Sequence, residues 1–285
     1  MSYFASILLA AITVGTWNGK WFPSGRAEHR ASEAEEAATI AKAGVLLRDG
    51  LAKADPVGTN DVILCLNEIR GPNTAQRLLD AIGRTNLAVA VVTRYRRRDR
   101  FDMQQDVILT TLPIVSANWS KWKNSKDKTP PRGYARANLI FAPSVTGTVY
   151  CIHLKSNYGQ TSKKLAELNR AKRMLAVKQI VEQEHVGKKR KARPVIVAGD
   201  INADKWAPQF SEDTLFALFE AGGYMNAMDL ADPLSRITYP GRGRRAGTTL
   251  DYIFYRGLKA TGKPFVMPAE KISDHNPVFA NLDYL

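Results

Sequence analysis

Short apolar runs closed by a polar side chain recur along the chain. DVILCL (61–66), LAVAVVT (87–93), DVILTTL (106–112), ANLIFA (137–142), TVYCIHL (148–154), PVIVAGD (194–200), LDYIFY (250–255) and PVFANL (277–282) have the length and β-branched content of buried strands. Part of FASILLAAITV (4–14), which runs straight into GTWN, is predicted to be the first of them. Helical spacing takes over between the runs. ASEAEEAATIAKAGVLLRDGLAKA (31–54) places Ile40, Leu47 and Leu51 on one side. In NTAQRLLDAIG (73–83), Asn73 is the expected N-cap, with Gln76 three residues on and Gly83 as terminator. The longest helix is expected over 162–185, its apolar stripe formed by Leu165, Leu168, Leu175 and Val181. A shorter one over 212–223 ends in glycines.

Strands and helices alternate with no break in pattern and no internal repeat. We therefore expect one α/β domain over residues 1–285, many strands with a few helices packed around them. Residues 1–11 form a signal-like or strand-extending segment, and KNSKDKTPPRG (123–133) is expected to be a surface loop. The run 4–14 is shorter than the roughly 20 residues that cross a bilayer, so no integral span is predicted. Nothing basic precedes it, as a signal peptide requires; a cytoplasmic protein is expected, with export left open.

Charge sharpens this picture. A formal net charge of +14 over 285 residues favours a polyanionic partner, nucleic acid first and an anionic membrane second. Cys65 and Cys151 are too few for a disulfide framework or a zinc cluster, and both lie in strand-like runs, so buried reduced thiols are expected.

The candidate chemistry lies where the apolar runs end. Asn18, Glu68, His153, Asp200, Asn202, Asp251 and the pair Asp274–His275 each close or open a predicted strand. Taken singly, each has a plain structural explanation as a turn residue, a cap or a satisfied core histidine. Taken together, four carboxylates, two asparagines and two histidines would converge on one rim. Buried there without partners they would be costly, so a polar network or a hard, oxygen-liganded cation such as Mg2+ or Mn2+ is expected. On a basic protein this combination points to hydrolysis of a phosphate ester.

TWN (16–18), LNE (66–68), HLKS (153–156), GDIN (199–202), LDYI (250–253) and SDHNPV (273–278) resemble, in order, the signature segments of the endonuclease/exonuclease/phosphatase superfamily, the DNase I-like fold. The resemblance covers residues 12–282. It implies a four-layer α/β sandwich, two sheets face to face with helices outside. It also implies that Glu68 is the principal metal ligand, with Asn18 and Asp274 nearby, and that Mg2+ or Mn2+ is the ion, with Ca2+ as an alternative supporting one. Asp251 would orient His275, Asp200 and Asn202 would position the water and a phosphate oxygen, and His153 would contact the phosphate or protonate the leaving group. Either Asp200 or His275 is the general base. Arg132, with Arg136 as its rival, and Lys155 are the candidate phosphate contacts. The sequence departs from the pattern at Asn67, where Gln is usual, at Ile201, where Phe is commonest, and at Asp106, where Gly is frequent.

His153 stands where abasic-site endonucleases of this fold usually carry Tyr, which brings the chain closer to DNase I-like nucleases. The basic clusters RYRRRDR (94–100), KWKNSKDK (121–128), KKRKAR (188–193) and GRGRR (241–245) suit a phosphate backbone, and no module for reading base edges is evident. A monomeric, largely sequence-non-specific, metal-dependent DNA endonuclease is the expectation. A phosphoinositide or sphingomyelin phosphoesterase, or a non-catalytic nucleic-acid binder, are the alternatives.

Overall fold

The computed structural model describes residues 11–25, 31–97, 100–101, 104–125, 128–157, 162–185, 193–241 and 246–284. The segment 1–10 and most of the clusters at 188–193 and 241–245 lie outside them, as do residues 98–99 of the first basic cluster and 126–127 of the second.

The elements run β1 (Ile12–Phe22), α1 (Glu33–Ala54), β2 (Asp61–Ile69), α2 (Pro72–Ile82), β3 (Ala88–Val92), β4 (Arg96–Arg97), β5 (Arg100–Phe101), β6 (Gln105–Thr110), β7 (Ile114–Lys121), β8 (Gly133–Ala142) and β9 (Val145–His153). There follow α3 (Lys163–Gln183), β10 (Val195–Asp200), α4 (Leu215–Ala221), β11 (Met225–Asn226), β12 (Asp251–Arg256), β13 (Leu258–Ala260), β14 (Phe265–Val266) and β15 (Val278–Tyr284). One mixed sheet has the order β13-β15-β1-β2-β6-β3, with β14 also paired to β15; the other runs β11-β12-β10-β9-β8-β7. Among the described residues, β4 and β5 pair with each other as a two-stranded sheet.

Each sheet is apolar on both faces, which explains the continuous runs in β2, β10 and β12. Between the sheets lie Ile12, Val14, Ile63, Cys65 and Ile108 from the first and Ala137, Cys151, Ala198 and Ile253 from the second. The outer face of the first sheet packs Trp17, Leu64, Leu66 and Phe279 against Ile40 and Leu47 of α1 and Leu78 of α2. On the far side, Val177 and Ile180 of α3 and Phe219 of α4 join the same core as the second sheet. Four layers result, the α/β sandwich expected. Burying each such side chain stabilises the fold by roughly 1.5–3 kcal/mol. Cys65 and Cys151 are free and buried.

Two local expectations are corrected, and two further features were not read from the sequence. The second helix begins at Pro72 with Gly71 as N-cap, not at Asn73, because proline's fixed φ suits a first turn whose N–H groups lack helical partners. In α3 the buried side is Asn169, Arg173, Ala176, Val177 and Ile180, while Leu165 is exposed. Burial of Arg173 is compensated by the Asp213 carboxylate, the Lys155 carbonyl and Asn157 Oδ1, which a stripe of aliphatic residues does not anticipate. The strand β7 went unpredicted because its side chains are largely exposed and show no alternation. Trp122, set among lysines, is buried against Tyr134 and so belongs to the core. No described helix is long and apolar enough to cross a membrane.

Candidate active site

Register assembles the site. In the second sheet, β10 is parallel to β9 and antiparallel to β12, and both pairings put Asp200 at the end of the ladder: His153 stands beside it on one side and Asp251 on the other. In the first sheet, β1 and β2 run parallel with Asn18 beside Asn67. The tips of the two sheets meet there. Asn18 Nδ2 donates to Asp200 Oδ2 at 2.9 Å and lies 3.4 Å from Glu68 Oε1. His153 Nε2 is 3.5 Å from Asp200 Oδ2 and 3.7 Å from Glu68 Oε1. His275 Nδ1 is 2.8 Å from Asp251 Oδ2, and its Nε2 points towards Asp200 Oδ2 at 4.0 Å.

The turn SDHN that precedes β15 fixes the imidazole. Ser273 Oγ donates to the Asn18 carbonyl and accepts the His275 N–H, and Trp17 Nε1 donates to the His275 carbonyl. Tyr239 packs edge-on to the ring at 5.2 Å. Behind Asp251, Thr238 Oγ1 accepts its N–H. These supporting groups were not predicted; only Ser273 carried a signal, as the hydroxyl residue two before His275 in a turn. Asn202 donates its backbone N–H to Asp200 Oδ1 and its side-chain amide to the Leu154 carbonyl. Asp274, adjacent to His275, pairs with Lys20 Nζ at 2.9 Å.

Backbone strain concentrates here. Glu68 (φ 59°), Asn202 (φ 53°) and Arg132 (φ 61°) all occupy the left-handed region that side-chain-bearing residues seldom adopt. Such residues cost on the order of 1–3 kcal/mol each and persist where surrounding contacts hold them. Glu68 is held by the Trp21 N–H on Oε2, and Asn202 by the two bonds just named. Gly199 is required: a Cβ there would stand 1.9 Å from the Ile152 carbonyl oxygen.

Burial separates the titrations. It drives the Asp200 carboxyl up, and with Asp251 nearby it reaches about 7 despite the opposing His275 charge and Asn18 bond. His275 is pushed down by burial, but the Asp251 and Asp200 carboxylates outweigh that and raise it to about 10. Burial, with Arg132 adding to it, holds His153 well below the usual imidazole range. His153 is therefore neutral, and its buried Nδ1 has no hydrogen-bond partner among the described residues.

The donor set fits a hard divalent cation. The Glu68 and Asp200 carboxylates approach the same imidazole nitrogen of His153, a juxtaposition of like charges that a cation relieves. Asn18 and Asp274 line the same cleft. Asp200, Asp251 and His275 also bring ligand atoms within 4.8 Å of one another, but the Asp251–His275 hydrogen bond already engages two of those atoms. The two groups merge at Asp200. Arg132 and Lys155 line the cleft, with Arg132 Nη1 on Gln104 and Lys155 Nζ on the Ser156 carbonyl. Arg136 is directed to Glu184 instead. The cleft measures about 2030 Å³, above the roughly 300–1,000 Å³ of small-molecule pockets, and Lys20 and Lys121 add to its basic lining.

The fold and this constellation define a phosphoester hydrolase built on a two-sheet sandwich. Residues 15–275 match the model of the Endonuclease/Exonuclease/phosphatase family, and the chain belongs to that family. Solved structures agree on the fold. A family protein from Leptotrichia buccalis C-1013-b is 15% identical with a TM-score of 0.64, over 96% of this chain and 100% of that one. A family protein from Bacteroides vulgatus is 12% identical with a TM-score of 0.64, over 97% and 100%. TDP2 of D. rerio, solved with a single-strand DNA product, is 13% identical with a TM-score of 0.60, over 96% and 99%. No curated protein sequence matches the chain.

Proposed function

We propose that the protein is a divalent-metal-dependent phosphodiesterase acting on nucleic acid, DNA foremost, as an endonuclease with little regard to sequence. The observation that carries this reading is the meeting of an Asp251–His275 pair with Asp200, Asn18, Glu68 and His153 in a cleft lined by Lys20, Lys121, Arg132 and Lys155. The cleft is large and basic, and it suits a polymer backbone. That TDP2 is known with a single-strand DNA product adds support at the level of fold.

The residues divide the work as follows. Asp251 accepts from His275 Nδ1 and so presents Nε2 to the cleft, where the charged imidazole contacts a phosphate oxygen. Asp200, with one carboxylate oxygen fixed by the Asn202 N–H and the other by the Asn18 amide, is the general base that takes a proton from water. Without an ion, burial raises this carboxyl to about 7; with a cation beside it the group would stay ionised and able to accept a proton at neutral pH. Neutral His153 donates from Nε2 to the phosphate or the leaving oxygen, and Asn202, Arg132 and Lys155 fix the phosphate. Glu68, with Asn18 and Asp274 and with Asp200 adjoining, would hold Mg2+ or Mn2+, which neutralises charge developing on the phosphoryl oxygens when bound.

The test is one gel assay of supercoiled, linear and single-stranded DNA and of RNA, with and without chelator, run beside phosphoinositide and sphingomyelin. Chelator-sensitive nicking of supercoiled DNA is expected. Turnover of a lipid substrate without nicking would replace this reading with a lipid phosphoesterase. Binding of DNA without cleavage at millimolar Mg2+ and Mn2+ would make the protein a non-catalytic binder.

A further inference from the structure

Behind the site lies a carboxylate that the proposed chemistry does not use. Asp106, on β6, is wholly buried, as is Asn67 on β2. Asn67 Nδ2 donates to Asp106 Oδ1 at 2.7 Å, and Asn67 Oδ1 accepts the Asp200 N–H at 2.9 Å. The amide is thus a spacer between the two sheets, holding the end of β10 to β2. It works in one orientation only. Reversed, its oxygen would face the Asp106 carboxylate and its NH2 the Asp200 N–H, two repulsive pairs among buried groups. Asp106 is itself gripped: its N–H donates to Thr93 Oγ1, and Tyr95, which lines the cleft, donates its hydroxyl to Oδ2 at 3.0 Å. The residue after Asn67 is the strained Glu68, and Asn67 Oδ1 would lie 3.0 Å from a Cβ at position 199.

We propose that Asp106 is a positioning residue: by accepting from Asn67 it sets which way that amide faces, and through it fixes the backbone of Asp200. The effect on turnover rests on the phosphodiesterase reading above. The effect on the Asp200 amide does not.

Hydrogen exchange of the Asp200 N–H and steady-state kinetics with the cognate phosphodiester test the assignment in Asp106→Leu, Asp106→Asn, Asn67→Leu and the double Leu variant. In Asp106→Leu the Asp200 amide exchanges faster than in the wild type while the Ala198 amide of the same strand is unchanged, and kcat falls about 10- to 100-fold with KM little altered, the effect of losing one buried charge-assisted bond. Asp106→Asn keeps an acceptor for Asn67 and restores both properties. The double variant is no worse than Asn67→Leu alone, because both changes break one relay. An Asp200 amide as slow in Asp106→Leu as in the wild type, an Asp106→Asn as impaired as Asp106→Leu, or losses that multiply in the double variant would each overturn the proposal. Should Asp106→Leu not fold, Asp106→Ala is measured in the same way. If the wild type cleaves no phosphodiester, the proposed function fails, while the exchange pattern still decides the role of Asp106.

Discussion

His275 Nδ1 lies 2.8 Å from Oδ2 of Asp251, a carboxylate with no exposed surface that sits directly opposite Asp200 in the β10–β12 ladder. The second oxygen of Asp251 is buried without a hydrogen-bond partner among the described residues. Among the described residues, the side-chain hydrogen bond that Asp251 makes is the one to that imidazole.

Replacing Asp251 by Asn preserves shape but removes the carboxylate that keeps His275 protonated, so the charged contact to the phosphate is lost at neutral pH. We expect kcat for plasmid nicking to fall by about 10²- to 10³-fold, the size seen when one donor to a developing oxyanion is removed. Far-UV circular dichroism should be unchanged. An Asp251→Asn enzyme within a few fold of wild type would remove the pair from the mechanism.

The pH dependence has a defined sign. His275 is raised to about 10 and Asp200 to about 7. Each native group thus binds a proton over a range in which the unfolded chain has released it, so each stabilises the metal-free fold below its unfolded pKa. The His275 contribution is lost as pH rises from about 6.5 to about 10, and above about pH 7.5 His153 is neutral in both states and does not oppose it. Thermal unfolding in chelator should show Tm falling across it, and falling less in Asp251→Asn, where His275 loses its main support. Divalent cation favours ionised Asp200, so the rise in Tm on adding Mn2+ should grow from pH 6 to pH 8. A Mn2+ increment that is flat in pH would mean that Asp200 does not sense the ion.

The part of the site written in local sequence was the order of polar residues at strand ends: Asn18, Glu68, His153, Asp200, Asp251 and His275 all reach one cleft or its wall. What local sequence lacks is register. That His153 and Asp251 flank Asp200 follows from one parallel and one antiparallel pairing across 47 and 51 residues of chain, respectively. Asp106 reads as a defect in an apolar strand until Asn67 is seen across from it. The buried face of α3 was misjudged for the same reason, because Arg173 is an interior residue only if Asp213 arrives from a later segment.

That Arg173–Asp213 pair, with both side chains almost wholly buried, supplies a stability prediction. Removing one partner strands a charge inside the protein, so Asp213→Leu should cost about 3–5 kcal/mol. The double change Arg173→Met with Asp213→Leu should recover much of that loss. Urea unfolding of Asp213→Leu, of Arg173→Met and of the double variant measures it. Because Arg173 Nη1 also donates to the Lys155 carbonyl, weakened DNA binding is expected in both Arg173 variants beyond any change in stability.

The cleft cations provide the last prediction. Lys20, Lys121, Arg132 and Lys155 line the cleft from several loops and strand ends, so contacts with successive phosphates are expected to be made by separate residues. Each phosphate neutralised releases condensed counterions, and the logarithm of affinity should fall linearly with the logarithm of salt concentration, with a slope of about −0.9 per contact for a duplex and about −0.7 for a single strand. Lys121→Ala should make that slope shallower by about one unit while leaving sequence preference untouched, because a phosphate contact carries no base information. Lys20 is a different case, since its ammonium is paired with Asp274. Lys20→Ala should change the slope less and metal affinity more, by removing a charge that competes with the ion for Asp274. Fluorescence anisotropy with labelled oligonucleotides in chelator, at several salt concentrations, separates the two residues. Equal slopes for wild type and Lys121→Ala would place the nucleic acid outside this cleft.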